Sequence, residues 1–218
     1  ELKTQFVSMA SHQFRTPLTV IRSNMELFDL LKSGLNNKIS PKLGKISTRI
    51  QTEVEKLTEM MDDLLILGKV DAGKTPYHPK IMDLVEVARS VVREDFVAEK
   101  RIASLTIVGK PFKFSLDDNL MRHIISNLLS NAYKYSKEKQ PPELTLFFEP
   151  DKVKIWVRDF GIGVAKEEIP NLFQPFYRAK NAMQIAGTGL GLVVVKEFVQ
   201  LHQGTIWVES EKGKGAMF

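Results

Sequence analysis

Ser11-His12-Gln13-Phe14-Arg15-Thr16-Pro17-Leu18 opens a run in which Phe14, Leu18, Ile21, Met25 and Phe28 are 4, 3, 4 and 3 residues apart. That spacing is the apolar face of a helix. At about 100° per residue His12 falls roughly 160° from the stripe, so its imidazole is expected to face solvent. A neutral imidazole has a ring nitrogen able to attack phosphorus. Pro17 removes a backbone donor and should bend the helix just past the histidine. Ser33-Gly34-Leu35-Asn36-Asn37 breaks the pattern, and Ser40-Pro41 restarts it with a cap and a first-turn proline. A second stripe follows in Ile46, Ile50, Val54, Leu57, Met61 and Leu64. Both run close to heptad spacing, which suits a bundle seam. Two helices bury two such stripes poorly on each other alone. The expectation is therefore an antiparallel hairpin that forms a four-helix bundle in a homodimer; the alternative is a hairpin docked on the chain's own second domain.

Gly68, Gly73, Pro76 and Pro79 end the helical pattern. Three segments are expected: a helical domain over 1–68, a linker or hinge over 69–80, and an α+β domain over 81–218. In the last, 83–99, 117–135 and 192–201 read as helices, the third ended by Gly204. Residues 104–108, 112–116, 144–148, 153–158 and 205–210 read as strands, with a hairpin at Glu149-Pro150-Asp151-Lys152. Helices segregated from a mixed or antiparallel sheet predict a two-layer sandwich.

Composition narrows the function classes. The 218 residues, 43% hydrophobic and 26% charged, suffice for one or two globular domains. Cysteine is absent, which removes disulfides and thiolate metal sites and fits a reducing cytoplasm. The net charge of +5 is spread among acids with no long basic block, so a nucleic-acid partner gains little support. No apolar run reaches the ~18 residues of a membrane span, so no membrane contact is expected within these residues. A start without Met and an end inside an apparent strand suggest a fragment of a longer protein.

Three further motifs carry chemistry. Asn127 and Asn131 share one flank of the 117–135 helix, and carboxamides at that spacing can offer oxygens to Mg²⁺, which needs few protein ligands. Solubilising asparagines are the plain alternative. Asp159-Phe160-Gly161-Ile162-Gly163 follows a strand. A carboxylate there can accept from an adenine amino group while the glycines admit the ring, although such a segment is also an ordinary turn. Gly187-Thr188-Gly189-Leu190-Gly191 precedes a helix, where exposed amides and the macrodipole favour phosphates. It is neither a Walker loop nor a dinucleotide fingerprint. Ala179 to Ala186 has no period and reads as a mobile lid.

Taken in this order, the four motifs resemble the catalytic core of the bacterial sensor histidine kinases, from about Phe6 to Phe218. Residues 11–18 match the phosphoacceptor box at seven of eight positions. Gln13 departs, standing where the family has an acid that orients the imidazole and takes its proton; a neutral amide is a very poor base. The resemblance implies a Bergerat-type ATP-binding domain, ATP and Mg²⁺ as ligands, and autophosphorylation on His12. It implies transfer to an aspartate on a response-regulator receiver domain, with Thr16 placing water for a phosphatase reaction. By the same match Asn131 holds Mg²⁺, Asn127 supports it, Lys134 meets phosphates and Tyr135 packs by the adenine or ribose. Asp159 reads adenine, and Arg178, following Phe173 and Phe176, reaches the γ-phosphate. The resemblance also implies a cytoplasmic core, with a parent protein that is either soluble or anchored in the inner membrane. Two rivals remain open. One is an ATPase of the same pocket superfamily without a protein acceptor, which would need a glutamate near the asparagine helix; Glu138 is the nearest acid after it and lies beyond Tyr135. The other is a nucleotide-gated dimeric scaffold disabled by Gln13.

Overall fold

The computed structural model describes residues 14–28, 40–71, 75–97, 99, 101–136, 140–185 and 187–218. His12 and Gln13 lie outside them. The chain divides into two compact units, Glu1–Gly68 and Lys69–Phe218.

The first unit is helical. Helix α1 covers residues 14–28, with Pro17 buried inside the run, and α2 spans Ser40–Asp71. In α2 the covered positions run through Ile46, Ile50, Glu53, Leu57, Met60, Leu64 and Leu67, a strict 4-3 alternation. Ile46, Met60 and Leu67 are at most 7% exposed. The predicted stripe instead passed through Val54 and Met61, which stand open at 48% and 55%, beside Leu65. On α1, Leu18 and Met25 are likewise exposed. Each helix thus has one covered row and a second apolar row left open in the single chain.

The second unit is a mixed five-stranded sheet with helices on one face. Strand order is β2-β4-β5-β7-β6, from Ser104–Val108, Glu143–Phe148, Val153–Arg158, Ala216–Met217 and Glu209–Ser210. β2 pairs parallel with β4 and the remaining pairs are antiparallel. The register aligns Leu105 with Leu144 and Val157, and Ile107 with Leu146 and Ile155, so alternation puts these side chains on one face. That face is the core. Leu144, Leu146, Ile125, Leu129, Leu190 and Val194 are wholly buried, each stabilising by about 1.5–3 kcal/mol relative to exposure. The β4–β5 hairpin turns where expected, with Phe148 opposite Val153 and Glu149 N–H donating to Lys152 O at 2.9 Å.

Helix α3 (Leu84–Ser90) starts at Asp83, whose carboxylate accepts from Val85 N–H at 2.9 Å, and runs into a single π-turn over Val91–Asp95. Helix α4 (Asp118–Tyr135) lies between α3 and α5 (Gly191–Leu201). Asp117 caps α4 by accepting from Asn119 and Leu120 N–H, both at 3.1 Å. Two strand expectations are corrected. Of the 205–210 segment only Glu209–Ser210 is a strand, β6. Only Phe114–Leu116 of the 112–116 segment is a strand, β3, and it pairs with an unforeseen β1 (Lys80–Met82) in a separate two-stranded sheet. Helix α5 ends at Leu201, ahead of Gly204 as expected; Gln203 at φ 58 carries the turn and Gly204 N–H closes back on Val199 O at 2.9 Å.

His123, inside α4, packs edge to face on Phe198 and leaves Nε2 buried without a hydrogen bond. Burial holds its pKa below the ordinary 6.5, because desolvation disfavours the imidazolium. Above that value the ring is neutral folded and unfolded. Below it the unfolded chain takes up a proton that the folded chain resists, so stability falls as pH drops through about 6.5. His123→Leu is expected to lose less unfolding free energy than the native chain between pH 7.5 and 5.5, as read by urea titration at each pH.

Candidate active site

Helix α4 brings four predicted residues to one end. Asn127, Asn131, Lys134 and Tyr135 are all half-buried. Asn131 Nδ2 donates to Asn127 Oδ1 at 3.3 Å, so Asn127 is held by its neighbour while the Asn131 oxygen is the carboxamide acceptor left beside it. The predicted glycines meet this end. A Cβ on Gly191, the first residue of α5, would lie 2.7 and 2.8 Å from the Asn127 carboxamide atoms. One on Gly187 would strike Lys134 Nζ, with Tyr135 Oη next. The start of α5, where helix amides have no acceptor within the helix, therefore faces the asparagine pair. Leu190, wholly buried, anchors that start, and its N–H donates to Thr188 Oγ1 at 3.2 Å.

Asp159 follows β5 directly, 6% exposed, and its Oδ1 accepts from Gly161 N–H at 2.7 Å. The glycines after it serve the protein itself rather than only admitting a ring. A Cβ on Gly161 would lie 2.6 Å from the Tyr135 carbonyl carbon and closer still to its oxygen, at the end of α4. Gly163, at φ 58, abuts the Glu211 carbonyl. Tyr135 is pushed above the ordinary phenol pKa by burial, against the opposing pull of the Arg178 guanidinium, so its hydroxyl stays a proton donor at neutral pH.

Arg178 also meets the segment predicted as a lid. Its Nη2 donates to Ala182 O at 2.5 Å and to Ile185 O. Both bonds use Nη2, so the guanidinium is tied to this segment through one nitrogen. The described part of that segment holds a 3₁₀ turn, Lys180–Ala182. Lys180 N–H donates to Glu168 Oε1 at 2.9 Å, and Asn181 Nδ2 donates to Gly163 O at 2.8 Å. Asn181 and Glu168 were missed from sequence, where neither has a periodic or motif context. Phe176 is buried at φ 62 and its N–H donates to Gly189 O at 3.0 Å; Gly189, at φ 75, has no room for a Cβ against the Phe176 backbone. Thr16 is exposed on α1.

A metal here would rely on the carboxamides. Among the described residues no group of three or more His, Cys, Asp or Glu is placed to hold an ion. The acceptor left on Asn131 fits Mg²⁺, which keeps several waters and binds substrate phosphates.

A phosphoacceptor helix pair followed by an ATPase-type nucleotide domain defines a class of signalling phosphotransferases, and comparison with known proteins places the chain in it. Residues 2–73 match the His Kinase A (phospho-acceptor) domain, and residues 116–218 match the histidine kinase-, DNA gyrase B-, and HSP90-like ATPase domain. The sensor histidine kinase WalK of Bacillus subtilis is 31% identical over 98% of this chain and 35% of its own length. A sensor protein kinase WalK of Staphylococcus aureus is 29% identical over 98% of the chain and 52% of its own. The chain thus spans about a third to a half of the curated relatives it matches. Among solved structures, the Acinetobacter baumannii histidine kinase AdeS shares the fold at a TM-score of 0.71, with 22% identity and 94% of each chain covered. Histidine kinase ThkA in complex with response regulator protein TrrA shares it at 0.73, with 18% identity over 98% of this chain and 59% of that one. The chain belongs to the sensor histidine kinases and comprises their catalytic core, with an ATP-binding domain at its C-terminal end.

Two glycine substitutions separate crowding from backbone strain. Gly161→Ala is expected to destabilise the nucleotide domain by about 1–3 kcal/mol through crowding alone, because its backbone is not left-handed and its Cβ meets a helix carbonyl. Gly213→Ala, at φ 82 with nothing within 4 Å, should lose only the strain of roughly 1–2 kcal/mol. Thermal unfolding of the two variants side by side checks the difference.

Proposed function

We propose that this core binds Mg²⁺·ATP in the α4–α5 pocket, transfers the γ-phosphoryl group to a ring nitrogen of His12, and passes it to an aspartate of a response-regulator receiver domain. The observation that carries the reading is the meeting of Asn127 with Gly191 and of Lys134 with Gly187. It brings together a carboxamide pair, a cation and a helix start, the groups that bind a triphosphate and its metal.

Each residue has a part in this scheme. The α5 start and Lys134 hold phosphate oxygens. Asn131 Oδ1 would hold Mg²⁺, with Asn127 steadying it; when bound, the ion neutralises charge on the phosphates. Asp159 accepts from the adenine amino group, and the protonated Tyr135 hydroxyl lies by the base or ribose. A lone pair on the His12 ring forms the N–P bond as the bond between the γ-phosphorus and the bridging oxygen breaks and ADP leaves. The imidazole must then lose its N–H proton. Gln13 cannot take it, so solvent or an acid from elsewhere does. Arg178 is tied through Nη2 to the carbonyls of Ala182 and Ile185, so its approach to the γ-phosphate would couple nucleotide binding to the lid. Thr16, exposed one turn beyond His12, is suited to placing water for dephosphorylation of the regulator.

The working unit is a homodimer. Leu18 and Met25 on α1, with Val54, Met61 and Leu65 on α2, form apolar rows at heptad-like spacing that a single chain leaves in water. A second copy covers them in a four-helix bundle. Among the described residues no helix is long and apolar enough to cross a membrane.

Incubation with γ-labelled ATP tests the chemistry. The expected product is an acid-labile, base-stable label on the chain, lost in His12→Ala and increased in Gln13→Glu. Free phosphate without label would mean an ATPase, and nucleotide binding with neither product would mean a scaffold. For the assembly, Met61→Glu should shift the mass measured by light scattering from dimer towards monomer, since it would bury a carboxylate in the seam.

A further inference from the structure

Helices α4 and α5 touch at three levels. At one end Asp117 N–H donates to His202 Nε2 at 3.1 Å. In the middle the rings of His123 and Phe198 meet at 5.2 Å. At the other end the Asn127 carboxamide covers Gly191. Between the outer levels α4 advances ten residues while α5 runs back eleven, so the helices are antiparallel with nearly matched rise.

His202 is built to hold the far end. Its Nδ1 lies 2.7 Å from Phe198 O, one turn earlier, which makes that nitrogen the donor and leaves Nε2 as an acceptor. The Nε2 acceptor serves a backbone N–H at the start of α4 that has no partner within the helix. The imidazole also packs edge-on against Tyr77, with centroids 5.2 Å apart. The Asp117 carboxylate meanwhile accepts from His78 N–H at 2.7 Å as well as from the α4 amides, so the joint ties three segments together.

We propose that His202 is a positioning residue for the nucleotide site. By fixing how far α5 slides along α4, it sets the contact between Gly191 and Asn127 at the opposite end of the pair, and with it the spacing between phosphate cradle and carboxamides. This rests on reading that space as the Mg²⁺·ATP pocket.

His202→Gln and His202→Asn test it. Gln carries an amide oxygen to where Nε2 sits and keeps the bond to Asp117. Asn reaches only to the Nδ1 position and keeps the bond to Phe198 O. Each loses one hydrogen bond, so both are expected to lower Tm by similar amounts. Affinity for Mg²⁺·ATP should stay within about twofold of native in His202→Gln and weaken about tenfold in His202→Asn, the scale of an outer-shell positioning loss. Without nucleotide, the NMR amide signals of Gly191 and of the Asn127 side chain should move in His202→Asn and hold in His202→Gln. Native affinity in His202→Asn, equal loss in both variants, or unmoved Gly191 and Asn127 signals would overturn the proposal. Failure of the native chain to bind Mg²⁺·ATP, with the signals still shifting, would instead remove the nucleotide reading and leave the mechanical coupling standing.

Discussion

The close approach of Asn127 to Gly191 is the constraint on which the nucleotide domain turns. A side chain at 191 would displace the Asn127 carboxamide at the point where the two helices bring their polar groups together. The helices can come this near because their other faces are consumed by the core. Leu128 and Leu129 on α4, with Val193 and Val194 on α5, are at most 6% exposed. Close-packed interiors transmit small displacements rather than absorbing them. The geometry of the polar cluster is therefore a property of helix packing as much as of the residues in the cluster. Gly191 is a packing residue and, in the proposed pocket, a phosphate-facing residue at once.

The same economy governs the loops. The segment from Asp159 to Gly163 is wedged between the last carbonyl of α4 and the turn at 211–215. Gly161 abuts Tyr135, Gly163 abuts Glu211, and Gly215 abuts the Asp159 carbonyl. Ser210 locks the wedge, its hydroxyl accepting from Val164 N–H at 2.8 Å and donating to Gly215 O at 2.7 Å. On the opposite wall, Phe176 holds a left-handed backbone that costs a bulky residue about 1–3 kcal/mol. Its burial and its bond to Gly189 offset that cost. Glycines that look in sequence like room for a ligand are largely room for neighbouring backbone.

This explains which parts were legible. Helix α4 could be read because its information is local: Asp117 caps it and its apolar residues repeat at helical spacing. The β4–β5 hairpin was legible for the same reason, since alternation and a Glu-Pro-Asp-Lys turn lie within one stretch. The motif residues of the nucleotide site could be named, because each sits in a short pattern. Their partners could not. That Arg178 would bind the carbonyls of Ala182 and Ile185, that Asn181 would reach back to Gly163, and that His202 would meet Asp117 across 85 residues are facts of tertiary approach. The pairing of β1 with β3 was invisible because three-residue strands carry almost no periodic signal.

The helical unit shows a subtler limit. The stripe read in α2 was continuous, yet it blends two rows that the structure separates. Ile46, Ile50, Leu57 and Leu64 fall on the covered row, which goes on through Glu53, Met60 and Leu67, while Val54 and Met61 belong to an open row with Leu65. A helix in a two-helix hairpin needs one apolar face, whereas a helix in a four-helix bundle touches two neighbours and needs a wider arc. The breadth of the arc, more than its period, is the sign of a further helix pair. Glu53 on the covered row, ion-paired with Lys56 at 2.5 Å, keeps that row from being wholly apolar, and the open row carries apolar groups in compensation. A lone chain would hold Leu18, Met25, Val54, Met61 and Leu65 in water at a hydrophobic cost. The proposed second copy removes that cost.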